Sequence, residues 1–342
     1  MQEAEYVERA KQRIREILDT EHAVVRAELE ARISEAGFPG SGLNIDPHHA
    51  TRAFNDLRWR NREILQTNAE TTRGEYPVAT IQPTNQRRRT TAITKAAQRR
   101  RLLYGRYLGW AHGDKRRPNG LLGPAGEQAV RAGLLESGRF QPEPPDASEV
   151  SKLLNTELPG PLDSGGYSIT FTNGLPQPPI TVLIEVKNIR SWVYPQSAEP
   201  YQLLHKSCIL QQTHPEQPIL PVLICRKAHP TTFWMAKQLG FMVIQLRTQF
   251  AGAVDEKALN EVRTELHFED LRFGSEASTT VRDRFRDVIP LHGPTYAAAW
   301  QKTAANPELV HSITQLRYAR EDRDQVMSEF RKHVKRAGHR GF

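Results

Sequence analysis

Apolar residues recur at helical spacing from the start of the chain. Tyr6, Ala10, Ile14, Ile17 and Leu18 fall on one stripe, and Val25, Leu29 and Ile33 repeat it over residues 24–33. Gly37, Pro39, Gly40 and Gly42 interrupt the pattern, after which Asp46-Pro47 reads as a helix cap followed by a first-turn proline. A third helix is predicted from there to about Leu65, with Ala50, Ala53, Phe54 and Leu57 facing inward. A polar, turn-like stretch over Glu70–Glu75 leads to Val78, Thr80 and Gln82, which alternate like a short strand. A further helix is expected from Thr90 into Leu102, Leu103 and Tyr104. The centre of the chain changes character. The pattern predicts a helix over Glu127–Leu135, strands over Tyr167–Phe171 and Ile180–Val186, and a helix over Glu199–Gln212. A strand over Ile219–Cys225, a short helix over Thr232–Leu239 and a last strand over Phe241–Leu246 follow. This order describes a mixed α/β core. From Gly252 the chain reads as helices and loops, ending in the basic run Lys332–Arg340.

A length of 342 residues fits two or three domains. The basic, polar stretch Gly113–Asn119 sets the first boundary and gives three regions: 1–112, 113–251 and 252–342. Hydrophobic residues at 38% suffice for ordinary cores, and with charged residues at 25% the chain as a whole does not read as disordered. No run approaches the ~20 apolar residues that a membrane span needs, and the N-terminus lacks an apolar export signal. Cys208 and Cys225 are expected to be buried free thiols, which makes the cytoplasm the default location. The net charge of +8 is concentrated at one end: residues 1–120 carry 22 Lys and Arg against 15 Asp and Glu, a net of +7. Such asymmetry implies a polyanionic partner near the N-terminus, although charge does not distinguish DNA from RNA or an acidic membrane.

Three helices followed by strand, turn and strand resemble the winged-helix family, an α+β fold. The resemblance makes the third helix a recognition helix for duplex DNA. Its exposed side offers Arg52, Asn55, Arg58, Arg60 and Arg62, together with His48 and His49, and Arg73 follows in the polar turn. Arg and Asn suit base edges, and Arg suits phosphates. The competing reading is a solvated helix in a structural or protein-binding module. The triplets Arg87–Arg89 and Arg99–Arg101 either clamp a phosphate backbone or form an exposed linker face.

The sharpest chemical signal is Ile184-Glu185-Val186-Lys187 at the end of an apolar strand. Alternation puts Thr181, Leu183, Glu185 and Lys187 on one face and Val182, Ile184 and Val186 on the other. A carboxylate and an amine at the end of a buried strand are costly unless paired or bound. Asp163 lies 22 residues upstream in Pro161-Leu162-Asp163-Ser164-Gly165-Gly166, a separation that a hairpin can close. Two converging carboxylates repel, and a divalent cation relieves this. An oxygen-only ligand set favours Mg²⁺, with Mn²⁺ as a substitute, over zinc.

Helix with Glu127, then Asp163, then Glu185-x-Lys187, then a helix and two strands, resembles the PD-(D/E)XK nuclease superfamily over about 130 residues, Leu121–Phe250. One departure is that Pro161 stands two residues before Asp163 instead of next to it. The resemblance implies a restriction-endonuclease-like α/β mixed-sheet core, which the α+β winged-helix-like region precedes and the helical tail follows. It also implies a Mg²⁺-dependent endonuclease that leaves 5′-phosphate ends. Asp163 and Glu185 would then hold the metal, with Glu127 holding a bound water or second ion, and Lys187 would orient the attacking water or stabilise charge on the phosphorus oxygens. Gln202, on the following helix, is carried as a catalytic contact to phosphate or metal. Restriction and anti-phage defence follow only by analogy, and with them partner proteins of a defence system. Cutting both strands with one site requires a homodimer or two successive nicks.

Two alternatives stay open: a DNA-binding regulator or scaffold with an inactive nuclease fold, and a structure-specific or RNA-directed nuclease. Each candidate also has an ordinary reading. Asp163 before Gly165 is a common turn arrangement, Glu127 a solvated helix carboxylate, and Glu185–Lys187 a surface pair. Trp192 and Tyr194 are expected to pack more than to stack on substrate. His205, Lys206, Arg226 and Lys227 are expected to be solvated, and Trp234 and Met235 to be core.

Overall fold

The computed structural model describes residues 3–35, 44–72, 76–84, 87–113, 118, 120–145, 149–172 and 174–342. The chain divides into two compact units. One comprises Met1–Leu121 and Ala253–Phe273, the other Leu122–Gly252 and Gly274–Phe342.

The first unit starts with α1 (Glu3–Glu21), whose stripe Val7, Ala10, Ile14, Ile17 and Leu18 is buried as the spacing requires. Val24 is not helical: it forms an antiparallel bridge to Ile81, with N–O distances of 3.1 and 2.8 Å, and α2 (Arg26–Glu30) begins two residues later. The predicted second helix therefore starts later than residue 24, because Val24 is buried in this bridge. Asp46 caps α3 (Pro47–Asn55) by accepting from the His48 amide at 2.8 Å, with Pro47 in the first turn. Ala53, Phe54 and Leu57 are buried.

The third helix ends sooner than its apolar pattern predicts. A wide turn over Asp56–Arg60 closes it, Arg62 takes a left-handed φ of 54°, and β1 (Ile64–Gln66) follows. Ile64 is buried in the same apolar core as Ile81 and faces Pro83 across the strand pair. β1 pairs antiparallel with β2 (Ile81–Pro83), Gln66 facing Ile81. Ile81 therefore joins both β1 and the Val24 bridge. The helix α4 (Thr90–His112) runs longer than predicted.

The second unit opens with α5 (Leu122–Glu136) and β3 (Phe140–Pro142). The strands β4 (Val150–Leu153) and β5 (Thr156–Leu162) pair with each other. A hairpin follows, formed by β6 (Ser164–Thr172) and β7 (Leu175–Lys187). It is longer than predicted, because the exposed residues 175–179 already belong to β7. Then come α6 (Glu199–Thr213), β8 (Ile219–Cys225), α7 (Pro230–Leu239) and β9 (Met242–Gln245). The five-stranded sheet has the order β3-β6-β7-β8-β9. β3, β6 and β7 run antiparallel, and β7, β8 and β9 run parallel. The architecture is thus mixed α/β with a mixed sheet.

The alternation along β7 sorts its side chains as predicted. Val182, Ile184 and Val186 enter an apolar layer with α5, whereas Leu183 enters the opposite layer with α6 and α7. Every residue of β8 is buried, as a central parallel strand sandwiched between two helical layers requires.

The tail does not form a region of its own. Its first part, with α8 (Glu256–Glu265), belongs to the first unit, where Arg99 on α4 pairs with Glu265 and Arg106 reaches Glu261 at 2.9 Å. Its remainder forms α9 (Thr279–Asp283), α10 (Ile289–Ala304), α11 (Pro307–Tyr318) and α12 (Arg323–Arg336). Trp300, Ile313, Leu316 and Phe330 of these helices complete the apolar layer over α6. An apolar sheet face needs that cover, so the tail cannot be separated from the central fold. Among the described residues no helix is long and apolar enough to cross a membrane.

Candidate active site

Three elements converge at the end of β7. The β5–β6 junction supplies Asp163, β7 supplies Glu185 and Lys187, and α6 supplies Lys206. Asp163 accepts the Val186 amide on Oδ2 at 2.6 Å, which fixes its carboxylate beside Glu185 despite 22 residues of intervening chain. The Lys187 ammonium lies 3.0 Å from Glu185 Oε2. The Lys206 ammonium pairs with Glu185 Oε1 and also donates to the Pro161 carbonyl. Glu185 is 2% exposed, so it is a buried carboxylate held between two ammonium groups.

Glu127 comes from α5, which is seated against the end of β7. Asn188 donates to the Leu122 carbonyl at 2.5 Å and to the Phe250 carbonyl at 2.7 Å. Gly126 sits directly on Asn188, so that a Cβ there would lie 2.5 Å from the Asn188 Cβ. This close approach places the neighbouring Glu127 near the site. Arg131, one turn later, lies 3.7 Å from Glu127 and donates to the Asp163 carbonyl at 3.2 Å.

The electrostatics follow from this crowding. Burial and the adjacent Glu185 charge push the Asp163 carboxyl up to about 7, with Glu127 adding to the effect. Lys187 and the Val186 amide oppose that rise without cancelling it. Burial works against the Lys187 charge, yet Glu185 and Asp163 outweigh it and hold the amine above its usual range. Lys187 is therefore protonated at neutral pH. Asp163 is short of positive charge, although two lysines stand nearby.

The structure thus brings Glu127, Asp163, Glu185 and Lys187 into one electrostatic cluster. Gln202 stands on α6 one turn before Lys206, partly exposed and with no hydrogen bond among the described residues. Lys206 departs from the sequence expectation: it is buried and ion-paired instead of solvated. Its i,i+4 spacing from Gln202 was the one available signal, since that spacing shares a helix face. Arg226 also departs. It is fully buried and donates to the carbonyls of Ile189 and Arg190, clamping the loop that follows Lys187. His205 is buried against Thr314. Trp192 and Tyr194 pack on His229, ring centroids 6.4 and 5.1 Å away, and Lys227 lies over Trp192. Met235 is core, but Trp234 is 40% exposed and donates to the Gly341 carbonyl. Cys208 and Cys225 are free and buried, and burial pushes both thiols up to about 12.

In the first unit, Arg52, Asn55 and Arg60 are exposed on or just beyond α3, and Arg58 is partly exposed. Arg62 is exposed but has left the helix. Arg73 lies outside the described residues. The second arginine triplet forms internal ion pairs. Arg99 meets Glu265, Arg100 is buried against Glu28 and Glu21, and Arg101 lies 3.1 Å from Glu70. These side chains are already neutralised, so they form neither a phosphate clamp nor an exposed linker face. Comparison with family models, with curated proteins and with solved structures finds no match.

Proposed function

We propose that this chain is a divalent-cation-dependent nuclease that hydrolyses phosphodiester bonds in DNA. In this reading its central unit has a restriction-endonuclease-like, PD-(D/E)XK core and its N-terminal unit is a winged helix. The observation that carries the proposal is the bond from the Val186 amide to Asp163, which joins Asp163 to the Glu185-x-Lys187 strand end. Such an arrangement is costly without a ligand, because Glu185 and Glu127 leave Asp163 short of positive charge. The donors are hard oxygens, a set that fits Mg²⁺ or Mn²⁺. Asp163 and Glu185 would hold the ion, with Glu127 nearby. When bound, such an ion supplies Lewis acidity toward a phosphate oxygen and lowers the pKa of water.

The chain's own groups account for the rest. Lys187, held protonated, cannot act as a general base. It donates hydrogen bonds and stabilises negative charge developing on the phosphate oxygens. Asn188 and Arg226 hold both flanks of the strand end, so Lys187 keeps its aim. Gln202 offers an unengaged amide to a phosphate oxygen. In the first unit, the order helix, bridge strand, helix, helix, strand, strand supports the winged-helix reading; Asn55 is exposed and Arg58 partly exposed for duplex contact, whereas Arg52 and Arg60 would exchange their ion pairs with Glu3 and Asp56 for phosphate. Leaving a 5′-phosphate, a place in restriction or defence, and association with a second copy all rest on the resemblance alone.

One observation favours a second reading, a DNA-binding scaffold with an inactive fold: both Glu185 oxygens are already occupied by ammonium groups. A single experiment separates the two. Plasmid and linear duplex DNA are incubated with Mg²⁺ or Mn²⁺ and wild type, Asp163→Ala or Lys187→Ala. Cleavage by wild type alone, with binding kept by both variants, supports the enzyme. Binding without cleavage of duplex, branched, single-stranded or RNA substrates under either metal supports the scaffold.

A further inference from the structure

Trp59 is 65% exposed, directly after the third helix of the first unit. Arg58 lies over its ring at 4.2 Å, so one face of the indole is already taken. Arg58 also donates to Gln66 Oε1 at 3.0 Å, which ties the ring and its cation to β1, where Leu65 is 40% exposed. The surrounding charge is positive. Among the described residues the neighbouring carboxylates Asp56 and Glu63 are satisfied within the unit, Asp56 by Lys11 at 3.0 Å and Arg60 at 3.3 Å, and Glu63 by Arg15 at 2.7 Å. Arg58 and Arg62 have no ion pair among the described residues.

A flat apolar ring with one face open and cations beside it matches a flat aromatic partner on a phosphate chain. In an intact duplex each base is stacked on both faces and shows only its edges in the grooves. A base offers a free face only where the helix is interrupted. The geometry points to Trp59 as a stacking platform for an unpaired DNA base, so that the first unit recognises DNA with a bulge, overhang or single-stranded stretch in preference to an intact duplex. This rests on the reading that the chain acts on DNA. The neighbouring arginines contact the flanking phosphates, and aromatic stacking of this kind tolerates any base.

The test is binding in EDTA, which prevents cleavage, of wild type, Trp59→Ala and Trp59→Phe to three oligonucleotides: a blunt duplex, the same duplex with a one-base bulge, and its single strand. 2-Aminopurine occupies the bulged position. Wild type is expected to prefer the bulged duplex and the single strand by about tenfold and to quench the 2-aminopurine. Trp59→Ala loses that preference and the quenching, keeps its affinity for the blunt duplex within twofold, and melts with wild type. Trp59→Phe keeps most of the preference. Equal losses on blunt and bulged DNA would overturn the inference and leave Trp59 as a groove contact. No loss on any DNA that wild type binds would overturn it in favour of a protein partner. If wild type binds none of the DNAs, the DNA reading itself fails.

Discussion

Lys206→Met tests the electrostatics of the site most directly. The substitution keeps an unbranched apolar stem, one atom shorter, and removes the charge. Glu185 is 2% exposed and would keep only Lys187 as a partner. Removing one partner of a buried pair costs about 3–5 kcal/mol, and the surviving lysine sets the expected loss at the lower end, about 3 kcal/mol. At about 2–4 °C per kcal/mol for a unit of this size, Tm should fall by about 6–12 °C in EDTA. Adding Glu185→Gln to Lys206→Met should recover most of the loss, because the uncompensated charge is gone. Saturating Mg²⁺ should narrow the gap between variant and wild type as well. Calorimetry of wild type, both single variants and the double variant measures the coupling. The reasoning is refuted if the double variant melts as low as Lys206→Met alone, since the loss would then come from packing or from the Pro161 contact.

Other predictions address the surroundings. Because the folded Asp163 carboxyl is raised, native protein holds a proton that the unfolded chain has lost. Metal-free stability should therefore fall as pH rises from about 4 toward 7. Asp163→Asn should flatten that slope in pH-dependent melting, and an unchanged slope would mean that another group dominates. The affinity for Mg²⁺ in wild type should climb over the same window, because binding at Asp163 must release that proton; calorimetric titrations in two buffers would detect it. Gly126→Ala puts a methyl group into Asn188 and should push α5 off the strand end, lowering cleavage by tenfold or more and Tm by several degrees. Arg100→Met leaves Glu28 buried without its main partner and should destabilise the first unit by about 3–5 kcal/mol in denaturant unfolding. Cys208 and Cys225 should react with a thiol reagent only at the rate of unfolding.

How much of this was legible in the sequence depends on the physics behind each signal. Strand alternation is a local property of the backbone, so the two faces of β7 could be assigned from Thr181 to Lys187 without a structure. The Asp46-Pro47 start of α3 is likewise local chemistry. Helix ends and partnerships are not. Val24 and Ile64 lie inside the predicted helical segments but are drawn into strands, Val24 by a bridge to Ile81, 57 positions away, and Ile64 opposite Pro83, 19 positions away. The long-range pairing of Arg99, Arg100 and Arg101 with Glu265, Glu28 and Glu70 left no trace in the local pattern, where three adjacent arginines look like an exposed basic run. The tail shows the same limit: it reads as helices and loops, but that reading does not say which apolar face the helices cover.

The candidate site combines both kinds of information. Its carboxylates and Lys187 were legible because a buried strand tolerates charge only for a reason. Lys206 was not, because a lysine on a helix is ordinarily solvated, and only tertiary packing puts this one against Glu185. Its presence changes the chemistry. With Asp163, Glu185 and Lys187 alone, one Glu185 oxygen would be free and only Lys187 would compete with a cation for that carboxylate. With Lys206 added, both Glu185 oxygens are paired before any ion arrives, while Asp163, buried beside Glu185, remains short of positive charge. If a cation binds at Asp163 and Glu185 as proposed, an ammonium group must let go of Glu185 to admit it. Lys206→Met should consequently bind Mg²⁺ more tightly than wild type even though it is less stable. Weaker binding would mean that Lys206 organises the ligands and does not compete with the ion.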